Sequence, residues 1–262
     1  MPAAAQSLFM NPSILVTRGL AKARRTLHRE AVVRSNAANA TNAANATSRD
    51  LPATQARWLL VTSALMMASY WGSNTLTSLR QSVGTGVFEW EAAIPFVPWS
   101  IVPYLSIAVF FALSFFVDSD AVQRQRHVLR LMIVLGVSLI CYALFPLRFS
   151  FDRPETSGLP GALFEALSAF DRPFNRAPSL HISVLVVLWV RLSPLLSRLR
   201  RIVLTAWFWL IALSVLTTYQ HHVIDVPAGL VLGGVATLLA SPAARRRAAR
   251  AMRRCVAVGA SR

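Results

Sequence analysis

Apolar residues gather in long runs along the chain, and the runs predict its architecture. A helix needs ~20 mostly apolar residues to cross a bilayer, within a range of about 17–25. Six runs approach that length: 57–78, 99–117, 128–147, 179–193, 202–218 and 222–240. The pattern therefore predicts an all-α integral membrane protein, a bundle of six transmembrane helices. The fourth and fifth runs are short, so their ends carry polar residues into the membrane. Between the first two, "VGTGVFEWEAAIPFVPW" is too broken to span, and Trp90, Trp99 and the prolines suit an interfacial or re-entrant segment. The loop 148–177 is the longest connection between spans, and its "GALFEALSAF" predicts a short helix on the surface.

Outside the runs the character changes. Residues 1–56 read as a separate basic arm, 57–240 as the membrane domain and 241–262 as a basic tail. Within the arm, "NAANATNAANAT" repeats a six-residue unit without apolar periodicity, which reads as a flexible tether. The preceding "ILVTRGLAKARRTLHREAVVR" suits a basic amphipathic helix at a membrane surface, and it also resembles an organelle transit peptide.

Composition agrees with the run pattern. The 262 residues are 55% hydrophobic and 15% charged, outside the usual soluble range. The formal charge of +16 comes almost wholly from arginine, with Lys22 the one lysine. Such a bias can mark nucleic-acid binding. Here the arginines cluster in the arm, the tail and the breaks between runs, which is how a membrane protein arranges charge, and no nucleic-acid partner is expected. Cys141 and Cys255 suggest no disulfide framework.

The same distribution orients the chain. Six spans put both termini on one side, together with Arg124, Arg126, Arg130, Arg198, Arg200 and Arg201, so that side is predicted cytoplasmic. The third loop breaks the rule. It carries Arg148, Arg153, Arg172 and Arg176 on the opposite side. An anionic ligand gives these arginines a reason, whereas each taken singly also reads as an interface anchor.

Two polar clusters meet on that opposite side. Pro178 and Ser179 read as a helix start, Ser179 as the N-cap, which places His181 in the first turn. Free backbone N–H groups at such a start favour an anion. The second cluster is His221 and Asp225, whose i, i+4 spacing predicts that both project from one helix face. A carboxylate there accepts from the imidazole Nδ1–H and leaves Nε2 with a free lone pair, as a nucleophile or general base. An ionisable group inside a span is costly, so function is the default reading. The plainer readings are a structural histidine at a helix start and a satisfied polar pair. His221, His222 and Asp225 as metal ligands form a third, which lacks a second strong ligand pair. His222 points about 100° away from His221 on an ideal helix, toward lipid headgroups or a neighbouring helix, and takes no catalytic role. Gly229 and Gly233 form a small-xxx-small pair that predicts close helix packing.

"APSLHIS" and "HHVIDVPAG" resemble the second and third signature motifs of the type 2 phosphatidic acid phosphatase superfamily. The Ser-x-His and His-x-x-x-Asp forms resemble the branch that includes inositol phosphorylceramide synthases and sphingomyelin synthases. "WEAAIPFVPWSIVPYLS" and "FPLRFSFDRPE" are similar to bacterial members of that branch, and the resemblance covers about residues 57–240. It implies a membrane lipid substrate, a phospholipid or lipid phosphate, and no metal or other cofactor. It further implies His221 as nucleophile, Asp225 as its orienting carboxylate, His181 as leaving-group acid and Ser179 as a phosphate ligand. Arg148, Arg153, Arg172 and Arg176 stand as candidate phosphate-binding residues.

The chain departs from the soluble-phosphatase form of the superfamily. That form has a lysine seven residues before an Arg-Pro; here Pro146 and Glu165 occupy the positions before Arg153-Pro154 and Arg172-Pro173. Its third motif opens Ser-Arg, and here the pair is Ser214-Val215. Fewer clamping cations suit a singly charged phosphodiester better than a dianionic monoester. The expectation is headgroup transfer through a phosphohistidine, with lipid or polyprenyl phosphate hydrolysis as the alternative. The rival from another class is a transporter or scaffold, which should show broken spans or inverted repeats near the midplane, and none is visible. The resemblance to bacterial members implies the inner membrane, with the site on the periplasmic side.

Overall fold

A computed structural model describes residues 52–117, 120–170 and 174–242. By its contacts the chain divides into two units, Met1–Ala53 and Thr54–Arg262. The predicted arm with its asparagine-rich repeat, and nearly all of the predicted tail, lie outside the described residues.

All regular secondary structure among the described residues is helical; one isolated bridge joins Gly84 to Leu147. In chain order, α1 is helical over 52–78. Then come α2 (Ile101–Leu113), α3 (Ala121–Leu144), α4 (Gly158–Phe170), α5 (Leu180–Leu192), α6 (Arg198–Thr217) and α7 (Asp225–Leu239). Helices thus occupy each of the six apolar runs, and α4 occupies the predicted surface segment. The broken segment after α1 folds as two 3-10 turns, Glu89–Ala93 and Pro98–Ser100. Among the described residues, two helices, α3 and α6, are long and apolar enough to cross a membrane; α2, α5 and α7 belong to shorter apolar helices.

Boundaries moved for local reasons. Helix α3 begins seven residues before its apolar run because the Asp120 carboxylate caps it, accepting from Val122 N–H at 2.9 Å. Helix α6 starts at Arg198 rather than 202, since "RLRR" has good helix formers behind the turn at Ser193–Leu195. Helix α7 starts at Asp225, so His221 lies in the turn before the helix and not on its face.

Helix α5 is the centre of the bundle, packing on α7, α3, α6 and α2. Its Val184, Val187 and Leu188 meet Leu131 and Val134 of α3, Phe208 and Ile211 of α6, and Leu232 and Ala236 of α7 in one buried core. The outer faces are also apolar: Trp209 and Leu213 on α6, Ile140 on α3 and Leu230 and Val231 on α7 are exposed. In lipid, apolar burial gives helices little drive to associate, so close packing of small residues carries the load. A Cβ on Gly229 would stand 2.7 Å from the Ser179 carbonyl oxygen, and one on Gly233 would stand 2.7 Å from that of Ser183. The bare backbone of α7 therefore lies against α5, and the Ser183 hydroxyl donates to both Ser179 O (2.9 Å) and Gly229 O (3.0 Å). This contact brings the start of α5 to the start of α7.

Candidate active site

Ser179 caps α5 as the sequence predicts, its Oγ accepting from Ile182 N–H at 3.4 Å, and its own N–H donates to Asp225 O at 3.1 Å. Two turns with left-handed backbone frame the site: Asn175 (φ 60°) and Tyr219 (φ 56°). Such conformations are costly for residues with a Cβ and persist only where surrounding contacts enforce them. Asn175 is held by α1, where its side chain accepts from Ser73 Oγ (3.3 Å) and Thr77 Oγ1 (3.5 Å). Tyr219 is held through its hydroxyl, which donates to Ile94 O at 3.0 Å. Beyond it the chain turns back, with Gln220 and His221 N–H both on Val215 O.

The His221 Nδ1 and Asp225 Oδ2 are 3.2 Å apart, both residues buried. Asp225 Oδ2 also accepts from His222 N–H at 2.8 Å, so the carboxylate fixes both the turn and the ring. Its Oδ1 is buried without a hydrogen-bond partner among the described residues. With Nδ1–H donated to the carboxylate, Nε2 of His221 carries the lone pair. The pair forms as the spacing suggested, but through a pre-helical turn rather than along a helix face.

His181 stacks on Tyr104 of α2, ring centroids 4.0 Å apart, and its Nε2–H donates to Tyr104 O at 3.3 Å. His181 and His221 line one cavity of about 330 Å³. The rest of the lining is mostly apolar: Met66, Met67 and Tyr70 of α1, Ile107 and Phe111 of α2, Leu167 of α4 and Val184 of α5, with Asn175 at its polar end.

The four loop arginines part company. Arg176 is buried; its guanidinium donates to the carbonyl of Gln220, the residue before His221, and lies 5.8 Å from the Phe149 ring. Arg153 sits on α4, donating to Ser168 Oγ at 3.3 Å with its guanidinium 4.6 Å over Phe164. Arg148 is exposed. Arg172 lies outside the described residues.

Of the two directions the sequence left open for His222, the structure takes the one toward a neighbouring element, the 3-10 turn Glu89–Ala93. His222 faces neither headgroups nor open space, being 1% exposed. Ser150 N–H donates to its Nε2 at 3.1 Å, so its Nδ1–H donates to Glu91 Oε2 at 2.9 Å. Phe149 stacks on the ring at 4.4 Å. Glu91, 2% exposed, was missed entirely: it also accepts from Val223 N–H (3.1 Å) and Phe88 N–H (3.1 Å). Its one visible signal was an acid inside an interfacial segment, "EWEAAIPF". Among the described residues, no group of three His, Cys, Asp or Glu side chains is placed to hold a metal ion.

Residues 127–249 match the model of the PAP2 superfamily, a stretch that begins within α3, continues past α7 and includes both histidine motifs. The match covers 123 of the 262 residues and likens this part of the chain to the PAP2 superfamily. PAP2 proteins are phosphatases and phosphotransferases acting on lipid phosphates within a membrane-associated all-α fold, and the match supports an enzyme of that broad kind here. The PAP2 match, together with α3 and α6 being long and apolar enough to span, points to a membrane protein. Comparison with curated proteins and with solved structures returned no match.

Proposed function

We propose that the protein is a lipid phosphotransferase that moves a phospholipid headgroup to an alcohol, in the manner of inositol phosphorylceramide synthases, through a phosphohistidine on His221. The observation that carries this reading is the buried His221–Asp225 pair, 3.2 Å apart, opening onto a cavity shared with His181. In the first step His221 Nε2 attacks phosphorus, the bond to the leaving oxygen breaks, and His181 gives that oxygen a proton. In the second step the acceptor hydroxyl attacks the phosphohistidine, its proton passes to His181, and the P–N electron pair returns to Nε2. Arg176 and the N–H groups at the start of α5 stabilise the developing charge, and Ser179 contributes its hydroxyl proton. Since Nε2–H of His181 is held by Tyr104 O, Nδ1 is the nitrogen that carries the transferred proton.

The apolar cavity supports a lipid, because it gives an acyl chain a place beside α1 and α2 while the phosphate stays near His221. The missing lysine and arginine clamps favour a phosphodiester over a monoester. We assign the chain six spans, both termini cytoplasmic, and a site on the far face, periplasmic in a bacterial inner membrane.

The test uses purified full-length variants and a nitrophenyl phosphodiester, whose leaving group departs without a proton. His221→Ala should form no phosphoryl label. His181→Ala should label at His221 but turn over slowly. Label on His221→Ala at the wild-type level, or mapping to His181 or His222, would sink the assignment. Mixed phospholipids with and without an alcohol acceptor then separate transfer from hydrolysis: release of free phosphate or free headgroup phosphate despite acceptor would make the enzyme a phosphatase.

A further inference from the structure

The cavity onto which His181 and His221 open runs away from them between α1 and α2. On α1 its wall goes from Tyr70 through Met67 to Ser63, and on α2 from Tyr104 through Ala108 to Phe111. Each set is spaced three and four residues apart, as on a single helix face. The two helices run along it in opposite directions. Tyr70 is at the active-site end, since Asn175 Nδ2 donates to its carbonyl oxygen at 3.4 Å. Tyr104 is at that end too, stacked on His181. Ser63 and Phe111 are therefore both at the far end, where seven residues at ~1.5 Å each put them roughly 10 Å away.

Packing closes that far end. Phe111 meets Phe115 edge to face, ring centroids 5.4 Å apart, and the buried Phe115 meets the His127 ring in the same way at 5.1 Å. Val184, which also lines the cavity, belongs to the buried core. The flank is different. Met67 is 58% exposed and Ala108 is exposed as well, so the cavity opens sideways between α1 and α2.

These dimensions decide how much of a lipid fits. At about 330 Å³ the cavity is near the lower limit of the ~300–1,000 Å³ usual for small-molecule pockets, which is room for one alkyl chain and not two. Half of a hydrocarbon core about 30 Å thick is roughly 15 Å, the reach of a full-length tail. A tail with its phosphate at His221 therefore fills the cavity before it ends, and its remainder leaves sideways past Met67 and Ala108. Inside the cavity, each methylene exchanges loosely packed lipid for close packing. Past Phe111 it exchanges lipid for lipid and gains nothing. We propose that Phe111, with Ser63 on the opposite wall, sets the length of tail that the site reads: one alkyl chain, over its first ~10 Å. Phe111 takes this specificity-determining role on the lipid phosphotransfer reading.

The test is kinetics of the purified full chain in phosphatidylcholine nanodiscs, on nitrophenyl alkyl phosphodiesters of increasing alkyl length. Each length competes with one reference length and is scaled to its concentration in the bilayer. Wild type should gain about two- to tenfold in kcat/KM per methylene, the range found when one is deleted from a packed core, and then level off. Phe111→Ala should move the levelling point to longer tails and Ser63→Phe to shorter ones. Leu65→Phe, on the exposed face of α1, should leave it in place. Should Phe111→Ala fail to fold, Phe111→Leu and Ser63→Phe carry the comparison. A levelling point that neither variant moves, a rise that never levels, or no dependence on length overturns the role of Phe111. Retention of alkyl phosphates of the same lengths, read by native mass spectrometry, gives the order without turnover. Length-dependent retention that the variants shift, with no turnover, would sink the phosphotransfer reading and keep the tail site; turnover without length dependence does the reverse.

Discussion

Replacing Glu91 tests how the catalytic turn is held. Its carboxylate accepts three hydrogen bonds in a buried position: Phe88 N–H on Oε1, and His222 Nδ1–H and Val223 N–H on Oε2. Glu91→Gln keeps the shape but replaces one oxygen by an NH₂ donor. If the amide oxygen serves His222 and Val223, the NH₂ faces Phe88 N–H; if it is flipped, it faces two donors. The better choice leaves one buried donor unmet, at a cost of ~1–3 kcal/mol. Glu91→Ala strands all three donors, at ~3 kcal/mol or more with each unmet buried donor costing ~1–3 kcal/mol. At roughly 2–4 °C per kcal/mol, the expected losses in Tm are a few degrees for Gln and ~6 °C or more for Ala. Activity should fall further than stability implies, because Val223 and His222 belong to the turn that aims His221, and a shift near 1 Å costs about 10²-fold. The loss should appear in kcat with KM little changed. Tm and steady-state kinetics on purified Glu91→Gln, His222→Gln and the double variant give the coupling, expected at ~0.5–3 kcal/mol. Wild-type Tm and kcat in Glu91→Gln, or strict additivity in the cycle, would refute the reasoning.

Three further outcomes are expected. Gly229→Ala and Gly233→Ala should each lower Tm, with overpacking costs of ~1–3 kcal/mol, and reduce turnover by separating α5 from α7; unchanged Tm in both would contradict the close approach. Arg176→Ala should cut turnover about 10²-fold or more, whereas Arg148→Ala should stay near wild type, and equal losses from the two would remove the distinction drawn from their burial. Ala108→Trp, which fills the cavity beside α2, should raise KM for long-chain substrate while sparing a nitrophenyl ester, measured by parallel kinetics; equal effects on both would deny the cavity its acyl chain.

Local signals in the sequence carried far, and long-range ones did not. Ser179 as a cap and His181 in the first turn follow from residue type and the Pro178 before them, and the structure has them so. His221 and Asp225 do meet, since four residues in a turn or a helix both return on themselves. The start of α7 was misread because an apolar run does not reveal where backbone hydrogen bonding begins. Glu91 was invisible because its partner His222 lies 131 residues away, and no periodicity links them. The left-handed backbone of Asn175 was not read from the sequence, since asparagine tolerates that conformation more often than most residues without requiring it.

The contact between Glu91 and His222 also has a bearing on biosynthesis. One partner precedes α2 and the other immediately precedes α7, so the tie closes only after almost the whole membrane domain has been made. A nascent chain that has emerged as far as α6 contains the Glu91 carboxylate but not yet the imidazole that meets it. It lacks His221 and Asp225 for the same reason. On the proposed chemistry, competence and completion of assembly therefore arrive with the same stretch of chain, and a chain stalled before it would lack both the tie and the proposed nucleophile.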